Sequence, residues 1–229
     1  MSPEKAPPPA RGVVGQITRG TTNTNRLRRI DRWIARHPVL RRASDPLVVD
    51  LGYGASAQLA DVRAGATSFA PDAHVSFARG GFEVPLPAGR RAAVIRAFNV
   101  LRQYNEGEVP DAWARMCARL QPGGMLVEGT CDELGRVCTW IEVGPDAAPR
   151  TLTLSLRLAG LNSPSIAAER LPKALIHRNV PGEGVHAFLA ALETEWVRAV
   201  ASSAFGPEHR WRTALQALAD AGWPVQGRA

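Results

Sequence analysis

Leu47-Val-Val-Asp-Leu-Gly-Tyr-Gly-Ala-Ser56 decides how this chain is read. The apolar start reads as a buried strand of a parallel sheet. The glycines after it read as a tight loop, and Gly52 and Gly54 let a ligand lie directly against the backbone. Asp50 places a carboxylate at the carboxyl end of that strand, which is where open α/β sheets bind ligands. A second marker follows at Leu120-Gln-Pro-Gly-Gly-Met-Leu-Val127. It reads as a helix end, a Pro-Gly-Gly turn and another buried strand.

Working outward, the spacing of Leu59, Val62 and Arg63 predicts a helix over 56–66, and Val75–Ala78 a short strand that Gly80-Gly81 breaks. Ala92 to Val100 is a second buried strand. Residues 109–120 form an amphipathic helix with Trp113, Met116, Cys117 and Leu120 on one face. Met125–Gly129 is a third strand. Val137–Val143 and Thr151–Leu158 read as an antiparallel pair joined by a Gly-Pro-Asp loop. The last third is helical, at 165–177, 184–203 and 207–221, and Trp223-Pro-Val225 returns to the sheet edge. Trp113, Trp196, Trp211 and Trp223 read as core. Strands alternating with helices, followed by an antiparallel pair, predict a three-layer α/β fold with a mixed sheet. The core spans 45–160, and the helices of 161–229 pack on it.

Before that core lie a Pro/Ala/Gly-rich tail at 1–14, read as disordered, and a basic arm at 15–44. In the arm, Leu27, Ile30, Trp33 and Ile34 have helical spacing. Thr24 or Asn25 caps that helix and Pro38 ends it. Its other face carries Arg26, Arg28, Arg29, Arg32 and Arg36. The net charge of +7 belongs to this arm: residues 1–44 carry +8 and the remainder −1. A nearly neutral remainder argues against nucleic acid as the partner, because nucleic-acid-binding domains show a broader basic face. An arm that closes over the ligand cleft is the other use of that charge.

The length of 229 residues and an apolar fraction of 45% suit one large domain with a sizeable core. No apolar run reaches the roughly 18 residues of a membrane span. The first ten residues lack the apolar segment of a secretory signal. The expectation is a cytoplasmic protein without membrane contact. Cys117, Cys131 and Cys138 form no CxxC pair and the five histidines are scattered, so no metal site is expected. All three cysteines read as separate core thiols in a reducing compartment.

Four stretches in order resemble the class I S-adenosylmethionine-dependent methyltransferases, and the chain looks like a small actinobacterial-type member. Val49-Asp-Leu-Gly-Tyr-Gly-Ala55 resembles their first motif. Arg96-Ala-Phe-Asn-Val-Leu101 resembles the strand that passes the methionine end of the cofactor, and Leu120-Gln-Pro-Gly-Gly124 the turn before the next strand. Gly80-Gly-Phe-Glu-Val-Pro-Leu86 stands where the family has a stretch beside the adenine. The resemblance covers roughly residues 45–130. It implies a Rossmann-like fold with a mostly parallel sheet, S-adenosylmethionine as cofactor and a small-molecule acceptor, with O-methylation preferred. It assigns Asp50, Gly52 and Gly54 to the cofactor loop, Gly81, Phe82 and Glu83 to the adenine border, and Arg96, Ala97 and Asn99 to the methionine end. The chain departs from the family between Gly54 and Gly80. That segment has room for one helix and one strand, whereas the family has a further unit ending in an acid on the ribose. A shortened sheet results, and its exposed edge offers a route to a homodimer.

Candidate general bases are Glu128, Asp132 and Glu133 at the carboxyl end of the third strand, and His177 at a helix end. Each has a structural alternative, a solvated loop acid or a helix-end histidine. Two other readings stay open. The shortened segment fits a non-enzymatic methyltransferase-like module that acts by binding a partner, and the basic arm fits a nucleic-acid methyltransferase.

Overall fold

The computed structural model describes residues 25–52, 76, 78, 80–87 and 89–227. The tail expected at 1–14, the arm before Asn25, Gly54, the helix expected at 56–66 and half of the strand expected at 75–78 lie outside these residues.

Five strands make one sheet in chain order: β1 (Val48–Leu51), β2 (Ala92–Phe98), β3 (Leu120–Cys131), β4 (Val137–Val143) and β5 (Pro149–Leu156). β1, β2 and β3 run parallel, whereas β3–β4 and β4–β5 are antiparallel. Among the described residues, β1 pairs with β2 alone. β2 is buried along its length except at Arg96, the pattern of a central strand covered on both faces.

Helices cover both faces. Helices α1 (Arg28–Arg36) and α2 (Pro38–Arg42) lie on one, where Ile30 and Ile34 pack with Val94, Phe98, Val127 and Trp140. Helix α3 (Val109–Cys117) lies on the other, where Trp113 and Met116 pack with Ile95, Ala97, Leu126 and Ile141. Full burial of a side chain such as Met116 contributes about 2–3 kcal/mol, so these two apolar seams hold the layers together. A third cluster joins Leu156 of β5 to a 3₁₀ turn at Pro164–Arg170 and to helices α4 (Lys173–Ile176), α5 (Gly184–Arg198) and α6 (Pro207–Asp220). Trp196 and Trp211 form the centre of that cluster, with ring centroids 6.2 Å apart.

Several expected elements change shape. β3 is longer than Met125–Gly129 at both ends. At its start Ala92 pairs with Leu120 and Val94 with Met125, so Gln121–Gly124 bulges out, with Gly123 at φ 74. Because Leu120 already belongs to β3, α3 stops at Cys117. At its end β4 keeps pairing as far as Cys131↔Cys138. Pro38 does not terminate the arm's helical stretch. His37 breaks α1, and Pro38 then opens α2 from a first-turn position that needs no N–H donor. Leu27 stands at the α1 N-cap without a side-chain cap, and the Asn25 carbonyl accepts from Arg28 N at 3.1 Å. The helix expected at 165–177 is a 3₁₀ turn plus short α4, and the one expected at 184–203 turns 3₁₀ at Ala199–Phe205. Trp223 does not return to the sheet. It packs on Phe188 of α5, ring centroids 5.6 Å apart.

The reading of three separate thiols is also corrected. Cys131 and Cys138 face one another across β3 and β4, Cα atoms 4.1 Å apart, and are joined as a disulfide. Cys117 is a buried free thiol, and burial pushes its pKa up to about 11.

Candidate functional site

The carboxyl ends of the three parallel strands lie side by side at Leu51-Gly52, Phe98-Asn99 and Glu128–Cys131. Gly52 has φ 93, and a Cβ there would stand 2.9 Å from Val100 Cγ2. The turn after β1 therefore requires glycine on two grounds, backbone angle and space. Asn99 is likewise left-handed, at φ 59. Its N–H donates to Gly129 O at 2.8 Å, and its Oδ1 accepts from Cys131 N at 3.0 Å. The Asn99 side chain thus ties the ends of β2 and β3 together. Ala97 is fully buried beneath α3.

Asp50 and Arg96 are register partners on β1 and β2. The guanidinium grips the carboxylate with both prongs, Nε to Oδ1 at 2.9 Å and Nη2 to Oδ2 at 2.6 Å. Its remaining nitrogen, Nη1, donates to Asp31 of α1. Arg96 is only 15% exposed, while Asp50 and Asp31 are 42% and 53% exposed. Burial by itself lowers the Arg96 pKa, but the Asp50 hydrogen bonds and the charges of Asp50 and Asp31 outweigh it, so the net direction is upward. Burial and the neighbouring Asp50 charge raise the Asp31 carboxyl in spite of Arg96. A shallow cleft of about 210 Å³ lies beside this triad, lined by Asp31, Ile34, Ala35, Leu40, Val48 and Arg96. Another depression, about 640 Å³, is lined by α6 alone and lies apart from the strand ends.

Glu128 lies inside β3, between Ala97 of β2 and Ile141 of β4. It has 0% exposure, and neither carboxylate oxygen has a hydrogen-bond partner among the described residues. Burial pushes its pKa up to about 8. Glu128 is therefore a neutral acid below that pH, and it is walled off from solvent. Two residues on, Thr130 is buried with a hydroxyl that has no partner among the described residues, and its register partner Thr139 donates to Arg170 O. The alternative of a solvated loop acid at Glu128 is corrected, because Glu128 is paired on both sides, by β2 and β4, and fully buried.

The other candidates are dispersed. Asp132 Oδ1 accepts from Leu134 N and Arg136 N at 3.2 and 2.8 Å, which commits it to the β3–β4 turn. Glu133 stands 3.9 Å from Arg170. His177 is exposed at the end of α4, on the helical side of the molecule. Phe82 packs against the α3 seam and meets Tyr104, centroids 5.1 Å apart. Glu83 folds back on its own turn, Oε1 accepting from Gly81 N at 2.9 Å, and the backbone N–H groups of Glu83 itself and of Gly81 hold its carboxyl below its usual range.

Among the described residues the structure brings together Asp50, Gly52, Arg96, Ala97, Asn99 and Glu128 at adjoining strand ends. Asp31 was missed from sequence. Its one sequence signal is that it is the sole acid of an arginine-rich helix. No group of three or more His, Cys, Asp or Glu side chains that could hold a metal occurs among the described residues, and no helix there is long and apolar enough to cross a membrane. No family model, curated protein or solved structure matches the chain.

Proposed function

We propose that this protein is an S-adenosylmethionine-dependent methyltransferase acting on a small molecule, with transfer to oxygen. The supporting observation is the edge formed by three adjacent parallel strand ends, with Asp50 beside a left-handed Gly52 turn. The fit to the cofactor is partial. The part of the Asp50 carboxylate that Arg96 leaves exposed suits the cofactor's ammonium end, which would compete with Arg96 while Arg96 keeps Asp31. The glycine turn suits close backbone approach. No described carboxylate occupies the place of the ribose acid.

When bound, the cofactor supplies a methyl group on a cationic sulfur. The work left to the chain is alignment of acceptor and methyl, and positioning of this kind carries much of the rate in such a transfer. Glu128 holds its proton at neutral pH behind Ala97 and Ile141, so it suits shaping the floor of the site rather than taking a proton from the acceptor.

A second reading, a methyltransferase-like module that binds a partner without catalysis, is supported by the closed Asp50–Arg96–Asp31 triad and by the small size of the adjoining cleft. Calorimetric titration of the full chain with S-adenosylmethionine and S-adenosylhomocysteine separates the two. Micromolar binding that Asp50→Ala abolishes, with circular dichroism unchanged, supports the enzyme. A folded protein that releases no heat with either ligand overturns it in favour of the module.

A further inference from the structure

We infer that the outward face of α1 and α2 is a docking surface for the phosphodiester backbone of a nucleic acid. This goes beyond the methyltransferase reading and stands independently of it. Arg28, Arg32 and Arg36 recur at i, i+4 and i+8, opposite the buried Ile30 and Ile34, and all three are exposed. Arg41 and Arg42 add two exposed guanidiniums on α2. None of these five has a side-chain partner among the described residues. The neighbouring arginines are occupied otherwise: Arg29 donates to Leu156 O at 2.8 Å and Arg26 to Cys131 O at 3.5 Å, which fastens the arm to the sheet. The one acid of α1, Asp31, is held by Arg96 on the sheet side. Asp31 therefore does not neutralise the outward stripe.

The chemistry of this face selects its occupant. A helix lying in a bilayer surface needs a free apolar side, and the apolar side of α1 is used up in the core. A protein partner needs a desolvated aromatic or aliphatic centre, and Trp33 is half-buried against Trp140, centroids 5.4 Å apart. A phosphate backbone needs only spaced cations. A helical rise of about 1.5 Å per residue puts the stripe's arginines about 6 Å apart over a span of about 12 Å, the reach of some three to four successive phosphates. The near-neutral charge of the remaining chain argued against such a partner on average composition. The structure shows instead that the cations are concentrated on one face and are unspent.

The test is fluorescence anisotropy of a labelled DNA duplex, and of its RNA counterpart, with the full chain over a salt series. Five phosphate contacts give a slope of log K against log salt between about −4 and −5. Arg28→Gln with Arg32→Gln and Arg36→Gln should make the slope shallower by about 2 to 3 and weaken low-salt binding roughly tenfold or more. A control that removes the same charge at exposed Arg136, Arg157 and Arg212 should leave the slope unchanged. Absence of duplex binding, an equal effect of the two triple variants, or binding to phosphatidylserine vesicles but to neither nucleic acid would each overturn the proposal. Matching melting temperatures of variant and parent show that the readout is binding rather than folding.

Discussion

Arg96 on β2 and Glu128 on β3 are one register step apart and point to opposite faces of the same sheet. Arg96 meets two carboxylates. Glu128 meets none, although it is the more deeply buried of the two. The difference lies in what each face can reach. The Arg96 face opens toward β1 and α1, both of which carry an acid at the right height. The Glu128 face is roofed by the apolar seam of α3. A charge at the rim can find partners from another element, whereas one buried without a hydrogen-bond partner can only give up its charge.

That contrast can be broken most forcefully at Glu128. An acid whose folded pKa is raised from 4.5 to about 8 binds a proton in the native state that the unfolded chain has already lost. Stability from this group is therefore present below about pH 4.5 and falls as pH rises through about 8. Between about pH 5 and pH 8.5 the parent should lose about 3–5 kcal/mol that Glu128→Gln does not lose. Chemical denaturation at the two pH values measures this, and parallel curves for parent and variant would show that Glu128 finds a partner or water.

The paired side of the contrast gives a smaller effect of the opposite kind. Arg96→Met strands two half-exposed carboxylates near one another and should cost about 1–3 kcal/mol. In the Asp50→Asn background the same change should cost distinctly less. Equilibrium unfolding of the four proteins in that cycle gives the coupling, and strict additivity would contradict the observed grip. The smallest effect sharpens the scale. Arg90 holds Asp45 with both prongs, at 2.9–3.1 Å, but both side chains are 47% exposed. Arg90→Gln should change stability by less than about 1 kcal/mol at moderate salt, and a loss as large as that of Arg96→Met would show that burial is not what separates the two pairs.

Much of the sheet was legible in the sequence, because apolar runs bounded by glycine and proline mark β1, β2 and β4 within a residue or two. Their relation in space was less so. Arg96 was conspicuous as a charge inside an apolar run, and Asp50 as an acid at the end of one. Nothing local joins either to Asp31, which lies 65 positions before Arg96. Glu128 was misread because it stands next to the expected strand end at Gly129, whereas the strand continues to Cys131 through pairing with β4 and so encloses it. Strand length in this hairpin is a property of two segments together. The arm showed the reverse: its arginines were plain in the sequence, but which of them are spent on the sheet emerges only from the carbonyls they reach.

The double grip of Arg96 also bears on how this chain can change over generations. Asp31, Asp50 and Arg96 belong to three different elements, yet none of them can be replaced as though the others were absent. A lineage that first neutralises one acid leaves a smaller network that still closes. A lineage that first loses the arginine must pass through a protein with two unmatched acids at the same rim. The order of substitutions, and not only their identity, thus decides which descendants of this fold remain stable.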